Sequence, residues 1–178
     1  MMVCNLPSKN QALSMLRKKN PSNIVNHSIK VSELSMKIGI QLKNKGSPVD
    51  LKLLEIAALL HDLDKYESLS KGFDYKKNVL SLRKKGFQKL ANTIFNEQLD
   101  AFLSTPFQKH PIEEIVVQYA DKRVLHTRVV SLNKRFAYLY KRYGSDSAKI
   151  LKKLKQMKKV LGRIEAFLKR KGVKVNSF

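Results

Sequence analysis

The chain has 178 residues, enough for one domain that buries a core without covalent staples. Its single cysteine, Cys4, excludes an internal disulfide, no apolar segment approaches the ~20 residues that cross a bilayer, and the amino terminus MMVCNLPSKNQALSML lacks the basic start and apolar run of a secretory signal, so a cytoplasmic protein is expected. With 36 Lys and Arg against 14 Asp and Glu, the formal net charge of +22 attracts anions from nucleotides and RNA to acidic lipid without choosing among them.

Apolar residues recur at helical spacing almost throughout, which predicts an all-α fold. Ser8 is positioned to cap a short amphipathic helix, SKNQALSMLRKK. After Asn20-Pro21 a long helix is predicted from Ser22 to a stop near Gly46. Its stripe, Ile24, His27, Val31, Leu34, Ile38 and Leu42, points His27 toward the core. Asp50 caps the next helix, LKLLEIAALLHDL, in which Leu51, Leu54, Ala58 and His61 again share a face, so a second histidine projects inward. Two further segments, around Lys76 to Lys85 and Gln88 to Asn96, are separated by Gly86. Pro111 then opens a helix read as continuous to Gly144, with Glu113 and Glu114 at its positive end and Val117, Asp121, Val124 and Leu125 on one face. A carboxylate inside an apolar stripe costs several kcal/mol unless paired or bound to a metal. The stretch FAYLYKRY interleaves aromatic and basic residues at a spacing that suits core packing. The last helix, about Ser145 to Lys171, has an apolar stripe through Leu151, Leu154, Met157, Leu161, Ile164 and Leu168 and a cationic outer face with Lys152, Lys153, Lys155, Lys158 and Lys159.

Three predicted helices thus aim His27, His61 with Asp62, and Asp121 at a common interior. Imidazole and carboxylate together suit Zn, Mn, Fe, Ni or Co, whereas a structural zinc site would more often use thiolates. Singly, each residue has a bland reading: a core histidine with a hydrogen bond, or an aspartate opening a turn. The set of four favours a metal with positions open for water and substrate.

The ordered pattern resembles the HD superfamily of metal-dependent phosphohydrolases. It is carried by NHSIKVSELSMKIG with His27, AALLHDLDK with His61 and Asp62, and IEEIVVQYADKRV with Asp121. The resemblance implies a helical bundle, residues 1–144, in which His27, His61, Asp62 and Asp121 hold one divalent ion that activates water against a phosphoester or phosphoanhydride. Residues 145–178 add the basic C-terminal helix, packed on the same domain. Relatives with a His-Asp-Ile-Gly motif have Gly where Asp64 stands, and two more histidines where Asp74 and Glu97 fall, which argues against a second metal. Asp62 and Asp64 are candidates to take the proton of the attacking water, Lys65 to hold a phosphate oxygen, and Arg128, seven residues after Asp121 on the presumed helix, to reach the same pocket. Lys122 and Arg123 are read equally as pocket residues or solvated charges, His110 and His126 as surface or capping residues.

The expected activity is hydrolysis of a nucleotide or other small phosphorylated compound. The alternative is a degenerate HD-fold module bound to RNA or another polyanion through the basic C-terminal helix, which is read as separable from the catalytic site.

Overall fold

The computed structural model describes residues 5–71, 76–96, 99–145 and 147–178. Asp74 and Glu97 lie outside them. The described chain is helical: α1 Lys9–Lys19, α2 Ser22–Asn44, α3 Leu51–Leu60, α4 Lys65–Lys71, α5 Lys76–Lys84, α6 Gln88–Asn96, α7 Leu99–Leu103, α8 Ile112–Asp121, α9 Leu132–Tyr143 and α10 Ala148–Arg170. One small hairpin, β1 Val124–Leu125 with β2 Arg128–Val129, interrupts them. This is the all-α bundle with a basic C-terminal helix that the sequence predicts.

Local chemistry sets the helix ends. Ser8 and Gln11 form a reciprocal capping box at α1, and the Asp50 carboxylate accepts from the Leu53 amide at α3. Gly46, at φ 80°, ends α2 by letting the Ser47 amide donate back to the Leu42 carbonyl. Such a conformation strains residues with a Cβ.

The core is built on α2, which packs against α3 and α8; α6 packs on both of those, and α10 on α8 and α9. Val31, Leu34, Ile38 and Leu42 of α2 are buried against Leu53, Leu54, Ala57 and Leu60 of α3. These helices approach closely at Gly39, where an added Cβ would stand 2.4 Å from Leu54 Cδ2. Of the α10 stripe, Leu154, Met157, Leu161, Ile164 and Leu168 are buried. Glu113 and Glu114 are buried too: Glu113 accepts from the Asp50 amide at 2.8 Å, and Glu114 receives His110 at 2.9 Å and Asn96 at 3.0 Å. They therefore tie loops to the core in addition to facing a helix amino end.

The predicted single helix from Pro111 to Gly144 is corrected. Helix α8 ends at Asp121, and the chain turns into the hairpin, pairing Val124 with Val129 and Leu125 with Arg128. His126 takes the left-handed conformation at φ 56°. The Val130 amide donates to the Arg123 carbonyl at 2.7 Å, and Arg123 Nε donates to the Val130 carbonyl at 2.6 Å. Ser131 then caps α9 through the Lys134 amide. The β-branched Val124, Val129 and Val130 suit this extended excursion better than a helix interior. Arg123 is buried, not solvated; it also donates to the Val175 carbonyl at 3.3 Å.

Candidate metal centre

His27 arrives on the second turn of α2, His61 and Asp62 on the turn after α3, and Asp121 as the last residue of α8. The turn 61–64 is clamped to the end of α1. Buried Asn20 donates to the Leu63 carbonyl at 2.7 Å and accepts from the Tyr66 amide at 3.2 Å, and Lys19 pairs with Asp64 at 3.1 Å. Long-range bonds thus fix where His61 sits.

Both imidazoles are oriented by backbone carbonyls. His61 Nδ1 lies 2.8 Å from the Ala58 carbonyl, and His27 Nδ1 lies 3.0 Å from the carbonyl of His126. A carbonyl oxygen only accepts, so each Nδ1 carries the proton and donates. In a neutral ring each Nε2 then presents a lone pair. Both lone pairs face the same oxygen, Asp121 Oδ1, at 3.1 Å from His27 and 3.8 Å from His61. The other Asp121 oxygen pairs with Lys122, which is therefore a partner in the site and not a solvated charge. Two lone pairs and a carboxylate oxygen repel unless a cation stands among them. A proton on one ring satisfies one contact, whereas a divalent ion satisfies all three, and ligand histidines ordinarily have the other ring nitrogen fixed in this way.

The ligand atoms of His27, His61 and Asp121 all lie within 4.8 Å of one another. His61 and Asp121 are only 3% and 8% exposed. Asp62 is outside that trio, bordering it with Oδ2 3.6 Å from His61 Nε2 and Oδ1 3.4 Å from Lys65 Nζ. Desolvation pushes the Asp121 carboxyl up, yet Lys122 and the two histidines outweigh it and hold the group well below the usual carboxylate range. The Asp62 carboxyl shows the same contest, with burial and Asp121 raising it while His61, Lys65 and His27 bring it lower overall. Both are anionic at neutral pH, as ligands must be.

His27, His61, Asp62, Lys65, Asp121 and Lys122 open on one cavity of about 770 Å³. Two predicted site residues are not among those lining it. Asp64 is buried against Lys19, and burial raises its carboxyl more than Lys19 lowers it; its carboxylate braces the turn. Arg128 is exposed on β2, because the helix that was to carry it round to the pocket is a hairpin there. Conversely, α9 supplies Arg135, Tyr138, Arg142 and Tyr143, and α10 supplies Ile150, Leu154 and Met157. FAYLYKRY thus serves both: Phe136 and Leu139 are buried in the core and border the cavity, and Tyr138, Arg142 and Tyr143 complete its wall. Helix α10 is part of the same cavity, contrary to the expectation that it stands apart from the site. His110 is the buried partner of Glu114 rather than a surface residue, and His126 contributes its carbonyl. The spacing of Ala58 and His61 and the valine-rich hairpin were the available signals for the two backbone acceptors.

The helical bundle gathers two imidazoles and a carboxylate, the donor types of a divalent-metal site, on a cavity that Lys65, Lys122, Arg135 and Arg142 also line. The chain belongs to the HD domain family, whose model matches residues 24–154, and so to a superfamily of metal-dependent phosphohydrolases. It is 29% identical over 154 residues to the uncharacterized protein MJ0778 of Methanocaldococcus jannaschii, across 79% of this chain and 89% of that one. No solved structure gives a significant match.

Proposed function

We propose that the protein is a metal-dependent phosphohydrolase acting on a nucleotide or another small phosphoester or phosphoanhydride. One observation carries this reading: His27 and His61, each locked by a backbone carbonyl, present Nε2 to a single oxygen of Asp121 inside a basic cavity. His27, His61 and Asp121 would hold one divalent ion (Mn, Fe, Ni, Co or Zn), with Asp62 completing the set or standing beside it. The bound ion supplies a Lewis acid that ionises water near neutral pH and neutralises phosphoryl charge. The chain's own groups do the rest. Asp62, anionic and only partly exposed at the cavity, receives the proton of the attacking water. Lys65 and Lys122 line the same cavity and compensate the oxygens of the phosphoryl group.

The test is a turnover screen of nucleotides and generic phosphoesters with each metal supplied in turn. Release of phosphate that chelation stops is the expected result. Tight nucleotide binding with every metal and no turnover would instead identify a degenerate binding module.

A second reading concerns the outer face of α10. Lys152, Lys155 and Lys159 are exposed along it, while Lys153 pairs with Asp100 and Lys169 with Glu165. Cations at i, i+3 and i+4 repel one another unless screened, and a phosphate backbone such as RNA would relieve them. RNA retention that falls steeply with salt, and a shallower salt slope after Lys152, Lys155 and Lys159 are changed to Glu, would support it. Equal, negligible retention by both proteins would leave the helix a structural brace. Among the described residues no helix is long and apolar enough to cross a membrane.

A further inference from the structure

Two groups of residues lining the cavity differ in how their charges are balanced. At the metal site each carboxylate already faces a lysine, Lys65 on Asp62 and Lys122 on Asp121. Along α9 the cations outnumber the acids. Arg135 and Arg142 line the same cavity, and among the described residues neither forms an ion pair with a carboxylate. Arg135 Nε is buried with no hydrogen-bond acceptor. A guanidinium with a structural role looks different in this fold: Arg123 meets Glu165 at 3.6 Å and donates to the Val130 and Val175 carbonyls.

The two arginines are also pre-oriented. The Arg135 guanidinium carbon lies over the Tyr138 ring, 5.7 Å from its centre, and that of Arg142 lies over Tyr143 at 5.5 Å. Arg142 further donates to the Tyr138 hydroxyl at 2.9 Å. Stacking fixes the plane of a guanidinium while leaving N–H edges for an oxyanion. Below them, Ile150, Leu154 and Met157 of α10 give the cavity an apolar flank.

We propose that the α9 wall receives a second anionic group of the substrate, separate from the phosphoryl group that meets His27, His61 and Asp121. The substrate class is then a small phosphoester with an anion at each end and a planar or apolar middle lying against the tyrosines and α10. Arg135 and Arg142 are specificity-determining residues in this scheme. It rests on the hydrolase reading above, and its test separates the two.

The probes are adenosine 5′-monophosphate and adenosine 3′,5′-bisphosphate, which differ by one added anion. Binding of each is measured by titration calorimetry to the whole chain kept metal-free with chelator, and KM and kcat are measured with Mn supplied. The wild type should bind the bisphosphate about tenfold or more tighter than the monophosphate, the gain of one charge-assisted contact. In Arg135→Met and Arg142→Met that ratio should fall toward one, mainly through KM, and Arg135→Lys should recover part of it. Arg142 is exposed, so its variant carries the test if Arg135→Met fails to fold. Equal affinity of the wild type for both probes, or a ratio unchanged in both methionine variants, overturns the proposal. Selectivity with no turnover of these probes or of any compound in the screen above keeps the α9 wall and refutes the hydrolase reading, whereas turnover without selectivity does the reverse.

Discussion

Among the described residues, the His110–Glu114 and His27–Asp121 contacts are both part-buried and nearly equal in length, and they do different things. His110 Nδ1 lies 2.9 Å from Glu114, its Nε2 donates to the Phe102 carbonyl at 3.2 Å, and its ring stacks on Phe102 at 4.3 Å. Both nitrogens are occupied by fixed partners, and Glu114 is held further by Asn96. That pair is a brace between the loop after α7 and the start of α8. His27 and Asp121, at 3.1 Å, share their carboxylate oxygen with a second imidazole, have each Nδ1 spent on a backbone carbonyl, and open on a cavity. A histidine–carboxylate contact becomes a ligand set where a second donor converges on it and solvent can reach it. Elsewhere it is mortar.

Substitutions at the two places should separate cleanly. His61→Ala should abolish chelator-sensitive turnover, a loss well beyond the ~100-fold that changes around a ligand cause, with circular dichroism still helical. His110→Ala should do the opposite. It strands Glu114, 2% exposed, and breaking one side of a buried pair costs about 3–5 kcal/mol, a fall in Tm of about 10 °C for a chain of this size. Metal content per folded chain should be unchanged.

The orienting carbonyl of His126 gives a finer test. Proline cannot adopt the φ of 56° found there, so His126→Pro should displace that carbonyl from His27 and weaken metal affinity about 10- to 100-fold. His126→Gly accepts the conformation and keeps the carbonyl, so it should bind metal as the wild type does. Isothermal titration with Mn or Zn distinguishes them.

The smallest effect expected is on acid stability in chelator. The folded Asp121 carboxyl is depressed despite its desolvation, by Lys122 and the two histidines. Its contribution is therefore complete above the unfolded value of about 3.9 and is lost as pH falls through the lower folded value. The Tm advantage of wild type over Asp121→Asn should be present at neutral pH and close below about pH 4. An advantage that widens in acid would reverse the sign argued for this group.

Much of this was legible in residue pattern. The stripes of α2, α3 and α10, the caps at Ser8 and Asp50 and the stops at Gly46 and Gly86 are local signals, and they carried His27 and His61 inward. Asp121 was found for the same reason, since a carboxylate in a stripe with Val117 and Val124 requires a partner. What failed was non-local. Val117, Asp121, Val124 and Leu125 fit a helical period by accident of spacing, so the hairpin was missed and Arg128 was placed on a face that does not exist. Asp64 is claimed by Lys19, across a sequence separation that no periodicity encodes. The carbonyls of Ala58 and His126 belong to the backbone and leave little trace in residue identity. Arg135 and Arg142 were hidden because α9 serves the core and the cavity at once, its buried Phe136 and Leu139 bordering the same cavity.

The most direct test of this account is the metal content of purified wild type, Asp121→Ala and Glu114→Gln after saturation with one divalent ion and removal of excess. About one ion per chain is expected in wild type and Glu114→Gln and essentially none in Asp121→Ala. Undiminished metal in Asp121→Ala, or equal loss in Glu114→Gln, would contradict it.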